Sequence, residues 1–573
     1  MPQDAFTLKH LCSELNTLLT GAKVNRITQS NQEEIVFTVY TGKGTEKLLI
    51  SVNPSLPRIG VVNKENESLL TAPNFCMLLR KHLISSKILS VETVNFDRVI
   101  KIEFLSSLEF SDRQNKTLYL EIMGRYSNAI LTEGGFILGA CRGINSVDNL
   151  VRPLIVGGEY KFPPLGEKLA PNDDGLIDYF NQFNGEDFYQ YLLNGVRGLA
   201  QSTAKEFERY LLDKVKLIKE HSGEKIVKCL KEFIYIKNVL PCVLIKDGKV
   251  KDYMVFPYTT CKGEYISFDS LIQAENYFFS KKSEEKEFSS KKEGLISAVN
   301  SLIKKLNKKQ FAILERERET CSIEDNRIKG ELILSNIYKI KRGDKTIEVD
   351  NYYTQTKLKI ELDEYLSPSE NAERYYKKYN KQKRTLVALK PQKELVEGEL
   401  SYLSSVLDEI NIAEDLDGLE LIRSELLEQG IIKLKESKVK QSQKSNKQNQ
   451  KPLCAYYLIN GFTVKVGRNN IENDRVTFKS KDHDIWLHAK NYHSSHVVIE
   501  TQNNPVPMEV IVKSAEICAY FSKGRDGGKV EISYTEKKNV KKPNGAKPGF
   551  CIYENYQTVI VEAKKHSEMI KRC

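Results

Sequence analysis

Histidine and tryptophan side chains are concentrated in one short stretch near the C-terminal end of the sequence. Four of the eight histidines lie in residues 483–496, together with Asp484 and the only tryptophan, Trp486. Imidazole and carboxylate groups bind metals, but no cysteine is near and no carboxylate stands at ligand spacing. We therefore expect no metal or other cofactor, and predict a surface on which His488, His496 and Trp486 stack on RNA bases while Lys490 meets phosphate.

A basic segment follows at residues 537–550, which read KKNVKKPNGAKPGF and hold five lysines among glycine and proline. A loop of this composition can follow a phosphate backbone, and Lys541, Lys542 and Lys547 are its predicted RNA contacts. The alternative interpretation is a solvated loop that binds nothing.

Two features of the N-terminal half carry charge or free backbone groups. Asp97 and Arg98 lie in VNFDRVIKIEF between two predicted strands, where spacing alone indicates a turn-stabilising pair. Residues 195–213 (GVRGLAQSTAKEFERYLLD) predict a glycine turn followed by a helix with Ser202 and Thr203 in its first turn. The backbone N–H groups of that turn can bind phosphate, or the segment is an ordinary helix–helix turn, and the spacing leaves both open.

The sequence contains none of the common signatures of an enzymatic centre. It has no phosphate-binding lysine loop, no nucleophile elbow and no zinc-protease helix. Pro2 is reminiscent of lyases that attack with an N-terminal proline, but Gln3 stands where those enzymes need a carboxylic acid for proton transfer. We expect no side-chain catalysis.

Composition narrows the class of partner. The net charge of +11 is C-terminal, with +6 in residues 433–451 and +6 in residues 452–573, which favours RNA over other partners, although a solubilising basic tail is the alternative. The eleven cysteines form no C-x-x-C pair, so neither disulfides nor a thiolate zinc site is expected. Without a signal peptide or an apolar span, we expect a cytoplasmic protein with no membrane partner.

Hydrophobic patterning predicts a multidomain α+β chain. Residues 1–174 alternate short strands with helices near 6–19 and 73–86, and residues 175–278 begin helical and end in a β-hairpin that turns at Asp247 and Gly248. Heptad seams at residues 295–313 and 386–410 predict an antiparallel coiled-coil hairpin over residues 279–435, kinked at Pro391 and carrying a small tip domain at about 326–368. A basic linker (436–451) and a compact α+β domain (452–573), with one helix at 513–523, complete the chain.

Eight segments in chain order resemble the NFACT family. They are NFDRVIKIEF, LEIMGRYSNAIL, GELILSNIYKI, LSPSENAERYYKKYNK, GRNNIENDRV, DIWLHAKNYHSSHVV, SAEICAYFSKGR and VKKPNGAKPGF. The resemblance implies an N-terminal glycosylase-like domain, a helix-hairpin-helix region, the coiled-coil hairpin with its tip, and a C-terminal RNA-binding domain. Two departures stand out: Gln3, Asp4 and Ala5 replace the usual start, and His493 and Ser494 replace a common Pro-Gly, which makes the RNA contacts of that loop less secure.

The resemblance also implies a function. Family members bind a split large ribosomal subunit that carries a stalled peptidyl-tRNA, and they recruit aminoacyl-tRNA, alanyl-tRNA in bacteria, for message-independent alanine tailing. The Asp-Arg pair of the family matches Asp97 and Arg98, which become the predicted tRNA site together with Arg125. Arg468, Asp484 and Ser495 join the predicted RNA contacts, and the tip of the hairpin is expected at the stalk base.

Two other functions remain as alternatives to this interpretation. An older label of bacterial family members is fibronectin-binding protein, which would make the chain a surface adhesin. A lyase acting on abasic DNA would use the N-terminal proline, although Gln3 disfavours it and no DNA partner is expected.

Overall fold

The computed structural model describes residues 3–63, 69, 71–105, 115–143, 152–185, 187–215, 218, 222–320, 322–432 and 455–570. The chain divides into two compact units, Met1–Lys286 and Glu287–Cys573, and the division falls within one long helix. Among the described residues, no helix is long and apolar enough to cross a bilayer. The predicted linker at 436–451 lies outside the described residues.

The first unit contains a nine-stranded antiparallel sheet with two helices beside it. Its strand order is β4-β3-β2-β1-β5-β6-β7-β8-β9. The elements are α1 (Ala5–Leu19), β1 (Lys23–Asn31), β2 (Glu34–Tyr40), β3 (Thr45–Ser51), β4 (Arg58–Val61), α2 (Asn74–Leu83), β5 (Lys87–Val94), β6 (Val99–Leu105), β7 (Lys116–Glu121), β8 (Asn128–Glu133) and β9 (Phe136–Ala140). Alternating side chains of the strands and one face of α1 form the core, so the period-two and helical patterns of the sequence are confirmed here.

Four further helices, a small sheet and the start of the long helix that continues into the second unit complete the described part of the first unit. The four helices and the strands of the small sheet are α3 (Gly175–Asn181), α4 (Phe188–Gly195), α5 (Gln201–Lys214), α6 (Gly223–Ile234), β10 (Cys242–Lys246), β11 (Lys249–Met254) and β12 (Glu264–Ser267). The β10–β11 hairpin turns at Asp247 and Gly248, both with positive φ, as the sequence predicts. Phe207 and Phe233 join the same core as α1, so these helices are packed on the sheet domain.

One buried carboxylate, that of Asp4, connects α1 to α5. Its Oδ1 accepts from the backbone N–H of Thr7 at 2.9 Å and caps α1. Its Oδ2 accepts from the Ala200 N–H at 3.0 Å and from the Thr203 hydroxyl at 2.6 Å. Because a carboxylate is favoured beside the partial positive charge of a helix N-terminus, Asp4 stabilises two helices at once.

Replacing Asp4 is expected to destabilise the first unit strongly. Asp4→Ala removes one cap and leaves the Ala200 N–H and the Thr203 hydroxyl without their acceptor, a cost of about 3 kcal/mol in the free energy of unfolding. Urea unfolding followed by far-UV circular dichroism measures it. The fluorescence of Trp486, the only tryptophan, reports the second unit and is expected to keep its midpoint.

The matched control is Asp187→Ala, which removes a single exposed cap from α4, where Asp187 Oδ1 accepts from the Gln190 N–H at 3.1 Å. A loss of about 1 kcal/mol is expected there. Equal losses for the two variants would contradict the bridging role of Asp4.

Two long helices dominate the second unit and pack in opposite directions. The helical elements are α7 (Leu271–Glu319), α8 (Ile323–Ser335), α9 (Pro368–Ile412) and α10 (Leu416–Glu428). Leu295 and Val299 pack against residues 402–410, whereas Ile313 packs against Leu389 and Val396, so the pairs run antiparallel. Lys393, which interrupts the predicted seam, forms an ion pair with Glu317 across it at 2.9 Å. Helix α9 continues through Pro391.

A small domain with its own core lies between the two long helices in sequence. It combines α8 with a two-stranded sheet, β13 (Thr346–Asn351) and β14 (Thr356–Glu361). Leu332, Val349 and Ile360 pack there with Tyr375 from the start of α9. A capping box of Ser367 and Glu370 begins α9 next to this domain.

The C-terminal part is a six-stranded antiparallel sheet covered by helices, with order β15-β16-β18-β17-β19-β22. Its elements are β15 (Ala455–Ile459), β16 (Phe462–Val466), α11 (Asn470–Phe478), β17 (Ile485–Ala489), β18 (Val497–Glu500), α12 (Met508–Tyr520), β19 (Lys529–Glu536), β20 (Val540–Lys541), β21 (Ile552–Tyr553) and β22 (Gln557–Glu562). The predicted bounds of the helix, 513–523, were wrong: α12 begins after Pro507 and buries Ser514 and Ala515.

Candidate nucleic-acid interface

Asp97 and Arg98 lie in the β5–β6 turn (residues 95–98). Asn95 and Phe96 have φ of 56° and 47°, and the Asp97 N–H donates to the Val94 carbonyl at 3.0 Å. Asp97 Oδ1 accepts from the Arg98 N–H at 2.7 Å, while no described residue donates to Oδ2. The carboxylate therefore stabilises its own turn with one oxygen.

Arg125 lies at the same end of the sheet as Asp97 and Arg98. In an antiparallel sheet with neighbouring strands β5, β6, β7 and β8, the β5–β6 and β7–β8 connections are at the same end of the strands. It is exposed on a short 3-10 turn, Gly124–Tyr126, with its guanidinium 4.7 Å from the centre of the Tyr126 ring. The two turns are linked by the Ile122 N–H, which donates to the Arg98 carbonyl at 2.8 Å. The three predicted tRNA residues thus belong to one neighbourhood.

A third segment, the α4–α5 turn (residues 196–200), packs against the β5–β6 turn. Arg197 donates to the Asn95 carbonyl at 3.2 Å and to the Lys168 carbonyl at 2.6 Å. Gly198 has φ of 80°, and a Cβ there would lie 2.7 Å from Ala5 Cβ and closer still to the Phe96 carbonyl. Sequence reasoning had singled out both turns without indicating that they touch, since about 100 residues separate them.

The prediction of a phosphate site in the α4–α5 turn is corrected in part. The Ala200 N–H and the Thr203 hydroxyl donate to the Asp4 carboxylate, so an internal anion already occupies this side of the helix N-terminus. A phosphate at the same position would face that carboxylate.

Gly198→Ala is expected to disturb the β5–β6 turn. The added methyl group would meet Ala5 and Phe96, and φ of 80° is unfavourable for alanine, so we expect a loss of about 3 kcal/mol in the free energy of unfolding. Gly21→Ala is the matched control, because Gly21 has φ of 83° but open space around it, and about 1 kcal/mol is expected. Urea unfolding followed by circular dichroism compares them, and equal losses would show that the contact with Phe96 is unimportant.

In the second unit, the prediction of RNA contacts is wrong for three residues, because they are buried. Trp486, His496 and Asp484 are 0%, 1% and 3% exposed. Asp484 accepts from the backbone N–H groups of Lys481 and Thr501, at 2.9 and 3.0 Å, and so has a structural role. Buried rings cannot stack on RNA bases; they pack among Val476, Val498 and Val540 instead.

A hydrogen-bonded chain fixes these buried rings. The Trp486 indole N–H donates to Thr477 Oγ1 at 3.1 Å, and the Thr477 hydroxyl lies 2.7 Å from His496 Nδ1. His488 stacks on Trp486 with ring centres 5.6 Å apart. Burial lowers the pKa of His488 to about 4 and that of His496 to about 3, so both imidazoles are neutral at pH 7.

The predicted cations are mostly at the surface, and several are paired within the protein. Lys490 forms an ion pair with Glu531 at 2.8 Å, Arg468 with Glu472 at 3.2 Å, and Lys542 with Asp474. Lys541 and Lys547 are exposed and make no ion pair with a described residue. Phosphate contacts in this loop are therefore most available at those two lysines.

Four predicted residues line one cavity of about 1000 Å³, namely Arg468, His488, Ser495 and Lys547. Its opposite wall is helix α9, between residues 394 and 412. No motif could have indicated this cavity, because α9 and the C-terminal domain are separate in the sequence and meet only after the chain packs. The described residues contain no group of three or more His, Cys, Asp or Glu side chains arranged to hold a metal.

Comparison with known proteins assigns the chain to a family. A family model described as NFACT N-terminal and middle domains matches residues 4–445, and one described as NFACT protein RNA binding domain matches residues 454–553. The chain belongs to the NFACT family.

Relatives within the NFACT family match over the full length. A protein of Bacillus subtilis named "Rqc2 homolog RqcH" is 32% identical over 96% of this chain and 95% of its own length. A protein of Streptococcus pneumoniae with the same name is 30% identical over all of both chains.

Solved structures also match parts of this chain. The N-terminal part of the fibronectin/fibrinogen-binding protein from Streptococcus suis covers 48% of this chain with 24% identity and a TM-score of 0.42. The C-terminal part covers 50% with 29% identity and a TM-score of 0.38. At these TM-scores the matches carry no statement about function.

His488 and His496 of the NFACT RNA-binding domain make its stability sensitive to acid. Their pKa values are lowered from 6.5, so unfolding takes up protons below about pH 6.5. Their contribution to the free energy of unfolding is fully present above pH 6.5 and is lost as the pH falls toward 4. By pH 5 the loss is roughly 2 kcal/mol for each imidazole. Urea unfolding followed by Trp486 fluorescence at pH 7.5 and 5 is expected to show this loss.

His488→Gln provides the control, because it removes one of the two titrating rings and is expected to reduce the pH dependence by about half. If the urea midpoint of the wild type is the same at both pH values, the folded protein does not hold these imidazoles in their neutral form.

Proposed function

We propose that this chain is a ribosome quality-control factor that binds RNA on the large ribosomal subunit. Support comes from family membership over residues 4–445 and 454–553 and from full-length relatives named "Rqc2 homolog RqcH". The net charge of +11 is consistent with a polyanionic partner.

In this proposal the chain acts on a split large subunit that carries a stalled peptidyl-tRNA. It recruits an aminoacyl-tRNA, alanyl-tRNA by the family resemblance, so that an alanine tail is added without a message and marks the nascent chain for degradation. Peptide transfer is left to the ribosome, and the chain itself acts as a binding factor and not as an enzyme.

The observation that carries the tRNA role is the shared neighbourhood of Asp97, Arg98 and Arg125. Arg125 is exposed and held by a ring contact, which gives it a defined place for a phosphate or base edge. Asp97 Oδ2 accepts no hydrogen bond from a described residue and can accept from a base amine. The two linked turns thus offer an acceptor, Asp97, and a cation, Arg125, to a tRNA.

In the same proposal, the long antiparallel helices α7 and α9 allow the chain to contact a distant part of the ribosomal subunit. Helix α9 has 45 residues, which corresponds to about 68 Å at 1.5 Å per residue. The small domain between α7 and α9 exposes Tyr338 and Tyr365, which suit a contact at the stalk base of the subunit.

RNA capture tests the proposal. The tagged full-length chain is recovered from cells and its RNA is sequenced, beside an Asp97→Ala/Arg98→Ala variant. We expect large-subunit RNA and one enriched tRNA class with the wild type, and at least a tenfold loss of the tRNA with the variant, because base and phosphate contacts at the β5–β6 turn are removed.

The control is Arg209→Ala/Asp213→Ala, an exposed ion pair of the same composition on α5, which is expected to keep the tRNA. Failure of the wild type to enrich either RNA over an unrelated basic protein would reject the proposal. Two further assays then decide among the alternatives: exposure of the chain on intact cells for an adhesin, and borohydride trapping with abasic DNA for a lyase.

A further inference from the structure

The cavity of about 1000 Å³ in the second unit has a size suited to a small organic group. Its volume is at the upper end of the range for small-molecule sites, about 300–1,000 Å³. One wall is helix α9, and the other is the C-terminal domain with the loop at residues 543–550.

The α9 wall presents a buried acceptor without a partner. Asp408 lines the cavity and is 9% exposed, and its Oδ2 atom accepts no hydrogen bond from any described residue. Its other oxygen lies 3.3 Å from Lys523 Nζ. A buried carboxylate oxygen without a donor costs free energy, which a ligand N–H group would recover.

The facing wall combines rings and a cation. Phe550, in the loop at residues 543–550, is 53% exposed and offers a flat apolar face, whereas Tyr402, on the α9 wall, is only 5% exposed. The Lys547 ammonium lies 5.7 Å from the centre of the Tyr402 ring and makes no ion pair with a described residue. His488 lines the same space as a neutral ring.

We propose that this cavity binds an unstacked RNA base that carries an exocyclic amine. The amine donates to Asp408 Oδ2, the base lies against Phe550, and Lys547 meets the adjoining phosphate. Base–aromatic stacking and carboxylate acceptance of a base amine are the usual means by which proteins hold single-stranded RNA. The proposal deepens the proposed function, on whose RNA binding it rests.

The chemistry of the two walls favours a base with an exocyclic amine over anionic ligands, apolar ligands and uracil. A purely anionic ligand would face the carboxylate of Asp408, which lines the cavity. A purely apolar ligand would leave Asp408 Oδ2 without a donor. Uracil places a carbonyl oxygen where cytosine has its amine, so it would meet the carboxylate with a second acceptor.

Cytidine and uridine 5′-monophosphates are the probes, because their bases differ in outline only by that amine and carbonyl. Titration calorimetry on the full-length chain is expected to show cytidine monophosphate binding roughly tenfold more tightly than uridine monophosphate. Asp408→Asn keeps the shape of the side chain but replaces one acceptor oxygen by a donor, and it is expected to abolish the preference. Circular dichroism and Trp486 fluorescence establish that the variant is folded.

Lys523→Ala is the matched control, since it breaks the same ion pair but leaves the Asp408 carboxylate in place. It is expected to retain the preference for cytidine monophosphate. Lys547→Ala is expected to weaken both nucleotides alike. Absence of saturable binding, equal binding of the two nucleotides, or an equal loss of preference in Lys523→Ala and Asp408→Asn would each overturn the proposal.

The two proposals fail in different ways. A chain that enriches ribosomal RNA and tRNA from cells but shows no preference between the nucleotides retains the proposed function and loses the base pocket. A chain that enriches no RNA in the capture experiment loses the proposed function, whatever its affinity for mononucleotides.

Discussion

The carboxylate of Asp4 is the interaction on which the candidate tRNA site depends. Its two oxygens accept from the N-terminal ends of α1 and α5, so they hold the start of the chain against a helix almost 200 residues later. That contact brings Gly198 beside Ala5 and Phe96. The α4–α5 turn, which packs against the β5–β6 turn that carries Asp97 and Arg98, is therefore held in place by the internal carboxylate of Asp4.

A second constraint shapes the base of the helical hairpin. The Asn470 amide at the start of α11 donates to Glu425 at 3.1 Å and to Glu409 at 3.2 Å, which ties the C-terminal domain to α10 and α9. Burial beside Glu425 raises the pKa of Glu409 well above its ordinary value. The cavity beside this junction results from the docking of two elements that each have a core of their own.

The segment of residues 483–496 shows why a local pattern misled the site prediction. In β17, Leu487 and Ala489 face one side of the sheet while Trp486 and His488 face the other, and both sides are covered. Polar and aromatic residues on one face of a strand are compatible with an exposed surface. They are equally compatible with a buried core in which every polar group has a hydrogen-bond partner. The Thr477 hydroxyl decides for the core, because it gives the indole and the His496 imidazole their hydrogen bonds.

The sequence alone determined six of the nine strands of the N-terminal sheet, the direction of the two heptad-bearing segments and the family resemblance through Asp97, Arg98 and the C-terminal motifs. These follow from periodicities of two and three to four residues and from short contiguous motifs, which are local properties of a chain. Only the tertiary structure decided that the glycine turn at Gly198 touches Phe96, that Asp4 occupies the N-terminus of α5, and that Asp408 and Lys547 line one cavity. Each of these joins residues about 100 or more apart, and no local pattern records which distant atoms will meet after the chain packs.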